Sequence, residues 1–205
     1  MSMQKILVIA STNRHKVKEF QNLFPKDSQI KVLGLTDLVD NPETVEETSD
    51  TYAGNAYIKA DYWFHRLQVP ILSDDSGLEV ECLDGWPGVI SARIATSDKD
   101  CRELVISRLM QEGYFGLGGK VEASARFVCV LCLRAQGQTR YFEGILPGKI
   151  RQIESGNRGF GYDPIFYLRD GFSLADRSTQ DKNEVSHRAK AVRAFLACLK
   201  TDSLI

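Results

Sequence analysis

The run Ile6 to Ala10 is short and continuously apolar, and Ser11, Thr12 and Asn13 follow it at once. A strand that is apolar on both sides has to be covered on both sides, which α/β folds achieve by flanking a sheet with helices. Ser, Thr and Asn favour turns and helix N-caps, and after them Val17, Phe20 and Phe24 recur on one helical stripe. Strand, polar turn and helix make the opening of an α/β unit. A chain of 205 residues has room for one substantial core or two small lobes, and not for two large domains. Residues 1–205 are therefore expected to form a single α/β domain, with two lobes as an option.

Ile30 to Leu33 reads as a second strand, and Asp40 to Asp50 as an acidic, turn-rich segment. Tyr52, Ala56, Ala60, Trp63 and Leu67 have helical spacing and predict a helix over Tyr52 to Leu67. Ile71 and Leu72 enter a strand that is expected to break at Asp74-Asp75-Ser76-Gly77 and resume over Leu78 to Cys82. Ser97 and Asp100 form a capping box for a helix reaching about Gln111. Gly113 to Gly119 reads as a connector. Val121 to Arg134 and Thr139 to Ile145 read as a hairpin through Gly137. Gly156 to Pro164 is a glycine-rich loop, and Ser186 can cap a last helix with Val192, Phe195, Leu196 and Leu199 on its stripe.

Several functions are disfavoured by composition. The formal net charge is −1, so no bulk basic surface points to a nucleic-acid polymer. No stretch approaches the ~20 apolar residues of a membrane span, and no signal peptide is expected. The five cysteines are odd in number and irregular in spacing, as for reduced thiols in the cytoplasm. Cys129 and Cys132 lie in one apolar strand, where residues three apart face opposite ways and cannot pinch one zinc ion.

The polar segments hold the chemistry. Ser11, Thr12, Asn13, Arg14, His15 and Lys16 sit where a strand turns into a helix, a place suited to anions; an ordinary N-cap is the plain alternative. Asp74 and Asp75 lie between apolar strands, where charge is costly unless it is used. Neighbouring side chains on an extended chain point opposite ways, so one carboxylate can serve a metal while the other supports the loop. A Mg²⁺ held by one or two carboxylates and phosphate oxygens suits phosphate chemistry; an acidic turn closed by Gly77 is the alternative. Asn55 and Lys59 share a helix face. Glycines flank Phe160 in Gly159-Phe160-Gly161-Tyr162-Asp163-Pro164, so a nucleobase could stack there. His187 and Arg188 put cations in a first helical turn, against the helix dipole.

In order along the chain, S-T-N-x-x-K, E-E-T, N-A-x-x-K-A, D-D-S-G-L, P-G-x-x-S-A-R, G-F-G-Y-D-P-I-F and V-S-H-R resemble the inosine triphosphate pyrophosphatase family, from Ile6 to Leu199. The resemblance implies a mixed, strongly twisted sheet with flanking helices and two lobes around a central cleft. It implies a homodimer that uses Mg²⁺ to convert ITP, dITP or XTP to the monophosphate and pyrophosphate. It also implies roles for single residues. Ser11 to Lys16 would bind phosphate, Asp75 would be metal ligand and general base, and Glu46, or Glu47 beside it, would be the second metal carboxylate. Asn55, Lys59, Ser76, Phe160, Gly161, Tyr162, Asp163, Lys182, His187 and Arg188 would line the substrate. Thr12 and Ser49 stand where the family pattern often has glycine. A Maf-like nucleotide pyrophosphatase and a non-catalytic nucleotide sensor are the rivals.

Overall fold

β1 (Lys5–Ile9) leads into α1 (Arg14–Leu23) through a turn whose caps are in the sequence itself. The Asn13 carboxamide accepts from the N–H groups of His15 and Lys16 at 2.9 and 3.2 Å. The structure, a computed structural model, describes residues 5–25, 28–114 and 119–201. The middle of the expected connector, residues 115–118, lies outside them. After β2 (Ile30–Gly34), α2 (Tyr52–Leu67) starts at Thr51, whose hydroxyl takes the Gly54 N–H, and stops at Gln68 in a left-handed conformation. Next come β3 (Ile71–Val80), α3 (Asp98–Gln111) capped by Ser97, β4 (Glu122–Ala135) and β5 (Gln138–Arg151). The chain ends with β6 (Phe166–Tyr167), α4 (Thr179–Val185) and α5 (His187–Thr201).

The strands form one mixed sheet in the order β2-β1-β3-β4-β5-β6. β1 is parallel to β2 and to β3, and β5 is antiparallel to β6. No helix among the described residues is long and apolar enough to cross a membrane.

Three expectations need correction. β3 does not break at the two aspartates but continues through Asp74, Asp75, Ser76 and Gly77; both acids find buried partners, so poor strand propensity is overridden. β5 runs past Ile145, through Pro147 and Gly148, to Arg151. A Cβ on Gly148 would lie 2.5 Å from the Phe166 ring, which explains a glycine inside a strand. α4 was not anticipated, although Ser178, whose hydroxyl accepts the Asp181 N–H at 3.1 Å, shows the capping spacing.

The chain divides into two compact units, one of residues 1–75, 129–144 and 188–205, the other of residues 76–128 and 145–187. In the first, Leu7, Ile9, Phe20, Leu72, Cys129, Leu131 and Phe195 pack on one side of the sheet, and Val8, Ala56, Trp63, Ile71 and Cys132 form a separate cluster. Cys129 and Cys132 thus fall in different clusters, as their spacing requires. Burial pushes both thiols up to about 12, so they pack as apolar groups. None of the five cysteines forms a disulfide. In the second unit, Leu78, Val80, Val105, Leu109, Phe127, Ile150, Ile165 and Phe166 make the core.

A charge network lies inside the first unit. Asp74, 1% exposed, meets Lys16 Nζ at 3.1 Å and Arg188 Nη2 at 3.2 Å. Arg188, 2% exposed, also binds Glu19, and its guanidinium lies 5.6 Å from the centre of the Phe20 ring. Burial pushes the Asp74 carboxyl up, but the Lys16 and Arg188 charges outweigh it and hold the group well below the usual carboxylate range. Removing one partner of a buried pair costs roughly 3–5 kcal/mol. Asp74→Asn should therefore lower stability in urea by about that amount at pH 7. The folded value lies below the unfolded one, near 3.9, so this contribution is complete above about pH 4 and is lost as pH falls through the folded value. The gap between wild type and Asp74→Asn should narrow below about pH 4; a gap independent of pH would show that the Asp74 charge is not its source.

Candidate functional site

In the first unit, β3 delivers Asp75 to a face lined by α2. Asp75 is 4% exposed, and Asn55, fully buried on α2, donates from its amide to Asp75 Oδ2 at 3.0 Å. One turn further along α2, Lys59 grips the Glu47 carboxylate. Burial pushes the Asp75 carboxyl up; Lys59 opposes this, and the Glu47 charge adds to it. The two neighbouring aspartates are thus opposites: cations hold the Asp74 carboxyl well below the usual carboxylate range, whereas burial raises the Asp75 carboxyl from its ordinary value. That is the usual environment of a group recruited for proton transfer or metal binding.

Glu46 is exposed, while Glu47 is half-buried and is the acid whose charge reaches Asp75. Among the described residues no cluster of three or more Asp, Glu, His or Cys side chains could hold a metal ion. A Mg²⁺ ion nevertheless fits the donors present, because it commonly takes one or two carboxylates and completes its shell with water and phosphate oxygens. The Asp75 carboxyl is raised chiefly by lost hydration, with the Glu47 charge adding to it, and a divalent cation bound there would offset that cost.

At the start of α1, Thr12, Asn13, Arg14 and His15 are exposed and Lys16 is half-buried against Asp74. This end of the helix is less open than expected for an anion site, since Asn13 already takes two of its N–H groups. Ser11 is occupied in the same way, its hydroxyl accepting the Asn13 N–H at 3.2 Å. The cations there are Arg14, which is exposed, and Lys16, whose ammonium is held by Asp74. Arg188, expected to meet substrate, has its guanidinium engaged by Asp74 and Glu19. Glu19 was not singled out from sequence; its place one helical turn after Lys16 was the available signal.

The second unit holds the remaining candidates, with Ser76 following Asp75 on β3. Asp163 organises the glycine-rich loop: its Oδ2 accepts from the Phe160 N–H at 3.0 Å and from Lys182 Nζ at 2.7 Å. Gly159 has φ +76°, and a Cβ there would sit 2.0 Å from Asp163 Oδ2, so only glycine fits. Lys182, on α4, also lies 4.9 Å from the centre of the Phe160 ring. Gly161 is tied to α3, its N–H donating to Asp98 at 2.7 Å and its carbonyl accepting from Arg102 at 2.9 Å. Tyr162 is anchored in the core, its hydroxyl donating to the Ser91 carbonyl at 2.6 Å. The loop backbone is therefore anchored at Phe160 and at Gly161 after it, while the Phe160 side chain stays half-buried.

His187 is 7% exposed and stacks on Phe127, with ring centres 4.8 Å apart and planes 19° from parallel. Phe127 in turn contacts Phe166 at 4.4 Å. Phe127 was missed as a site neighbour because an apolar residue on a buried strand carries no functional signal in sequence.

The sequence profile of the Ham1 family matches residues 7–198. A dITP/XTP pyrophosphatase of Geobacillus kaustophilus is 43% identical over 193 residues, which is 92% of this chain and 91% of that protein. A dITP/XTP pyrophosphatase of Flavobacterium psychrophilum is 38% identical over 195 residues, 95% of this chain and 98% of that protein. Among solved structures, a HAM1 protein from Coxiella burnetii matches with a TM-score of 0.83 and 32% identity, covering 97% of this chain and 100% of that one. The match runs through the strands and helices that hold the candidate residues, and on this evidence the chain belongs to the Ham1 family.

Proposed function

We propose that this protein hydrolyses non-standard purine nucleoside triphosphates, dITP, ITP and XTP, to the nucleoside monophosphate and pyrophosphate. The observation that carries the reading is the buried Asp75 carboxyl, pushed up by burial and by Glu47 and held by Asn55 beside Lys59. The names of the relatives, dITP/XTP pyrophosphatase, support the substrate class.

In this reading Asp75 accepts a proton from the water that attacks phosphorus. A bond forms from the water oxygen to phosphorus, the α–β anhydride bond breaks, and pyrophosphate leaves. Mg²⁺, held by Asp75 and a carboxylate of the Glu46–Glu47 pair, would neutralise phosphate charge and favour the leaving group. Lys16 and Lys59 offset the remaining charge, with Ser11, Thr12, Asn13, Arg14 and His15 around the phosphates. Phe160 stacks on the base, and Lys182 stands over that ring while Asp163 orders the loop. His187 and backbone N–H groups donate to a 6-oxo group. The amino group of adenine would leave such donors unpaired, a mismatch that discriminates strongly. Arg188 acts on the phosphate end by holding Asp74, which holds Lys16.

The family resemblance extends this reading to a homodimer, which sedimentation tests directly. Five cysteines without a disulfide fit a reducing compartment such as the cytoplasm.

The first experiment is pyrophosphate release from ITP, XTP, dITP, GTP and ATP with Mg²⁺ and with EDTA. Release should be metal-dependent and confined largely to ITP, XTP and dITP. Activity on pyrimidines would point instead to Maf-like chemistry, and binding without release to a sensor. Asp75→Asn should lower kcat by about a hundred- to ten-thousandfold, the span of a general base. A raised carboxyl burdens the folded state when it ionises, so the same variant should melt no lower than wild type at pH 7 without Mg²⁺, an advantage that disappears below about pH 4. Glu47→Gln should raise the Mg²⁺ concentration for half-maximal activity more than Glu46→Gln; the reverse order would place the second carboxylate at Glu46.

A further inference from the structure

Asn55 is the fully buried polar side chain of α2, 0% exposed, and both ends of its carboxamide are used by the protein. The Ser49 backbone N–H donates to Asn55 Oδ1 at 2.9 Å. A backbone N–H cannot accept, so this bond fixes which end of the amide is oxygen. The amide nitrogen is then turned to Asp75, to which it donates at 3.0 Å. A single planar group thus ties the loop after Glu46 and Glu47 to the carboxylate on β3.

The surrounding bonds keep that loop seated on the start of α2. Ser49 Oγ accepts the Thr51 N–H at 3.2 Å, and Thr51 Oγ1 accepts the Gly54 N–H at 3.1 Å. A Cβ on Gly54 would sit 2.0 Å from Ser49 Oγ, so glycine before Asn55 leaves room for the loop. Four residues after Asn55, and so on the same helix face, Lys59 holds Glu47. Aspartate at position 55 would keep the acceptor for Ser49 but present no donor to Asp75, serine would be too short to span both, and only a carboxamide of this length carries donor and acceptor at once.

We propose that Asn55 is a positioning residue and not a substrate contact: it sets the acidic loop and Asp75 at the spacing that a divalent cation needs, before any nucleotide arrives. The proposal rests on the metal-dependent hydrolysis proposed above. Groups that orient metal-binding carboxylates commonly change metal affinity or turnover by about 10–100-fold when removed. The expected signature is therefore in metal binding and kcat, with nucleotide affinity left alone.

The test uses Asn55→Leu, close in shape but without hydrogen-bonding groups, and Asn55→Ala. Mn²⁺ affinity is measured by electron paramagnetic resonance on the protein without nucleotide, together with kcat and KM for ITP at saturating Mg²⁺ and the melting temperature. Both variants should weaken Mn²⁺ binding by about tenfold or more and lower kcat similarly, with KM for ITP changed less than about twofold. A raised KM with unchanged Mn²⁺ binding would overturn the proposal in favour of a substrate contact. A lowered melting temperature with Mn²⁺ affinity and kcat unchanged would overturn it in favour of a purely structural role. Should neither variant fold, the wild-type protein decides by nuclear magnetic resonance. Its Asn55 side-chain amide, identified by proximity to the Ser49 N–H, should shift on adding Mg²⁺ alone; a shift only with ITP would overturn the proposal. Wild-type protein that releases no pyrophosphate from any purine triphosphate refutes the underlying function, whereas active wild type with unaltered variants refutes the role of Asn55 alone.

Discussion

Asp74 lies in the middle of β3, almost wholly out of water, and it is ionised because Lys16 and Arg188 stand within 3.2 Å of it. A lone carboxylate there would cost several kcal/mol in lost hydration. Two cations, one from α1 and one from the first turn of α5, offset that cost, and Glu19 completes the charge balance around Arg188. The pairing joins three elements that are far apart in sequence. It also stops Lys16 from wandering, so the ammonium at the start of α1 is held in place rather than left on a flexible stem. The electrostatic order of this unit follows from that one buried acid.

The next residue shows how one strand separates two tasks. Strand geometry turns Asp75 away from Asp74, towards α2, where it bonds the Asn55 amide with Lys59 and Glu47 beside it, whereas Asp74 pairs with Lys16 and Arg188. Burial dominates, and its carboxyl rises where that of Asp74 falls. Such a divergence between neighbouring acids commonly marks a division between structural and chemical roles. The same economy is visible in the glycine-rich loop, where the Asp163 carboxylate fixes a backbone N–H and Lys182 together and so gives the Phe160 ring a defined position.

The match to the Ham1 family runs over residues 7–198, whereas the distinctions among these local arrangements come from side-chain environment. Arg188 and Tyr162 stand among the candidate motifs, yet each is taken up by the protein's interior. Phe127 belongs with them, since its ring sets the plane against which His187 stacks.

Local chemistry made much of this legible in the sequence. The apolar run before Ser11, the helical stripe from Tyr52 to Leu67, and the caps at Asn13 and Ser97 each act over a few residues, so their elements could be read without the fold. The ordered polar motifs likewise exposed the family. What the sequence could not decide was anything that depends on partners brought from a distance. Asp74 and Asp75 are strand breakers by propensity, and only Lys16, Arg188 and Asn55, arriving from other elements, keep β3 continuous. Whether Glu46 or Glu47 faces Asp75, whether Arg188 is exposed, and which end of the Asn55 amide points at the acid are equally tertiary questions. Each is settled by the energy of burying a charge or leaving a polar group unpaired, and that energy exists only once the chain has folded.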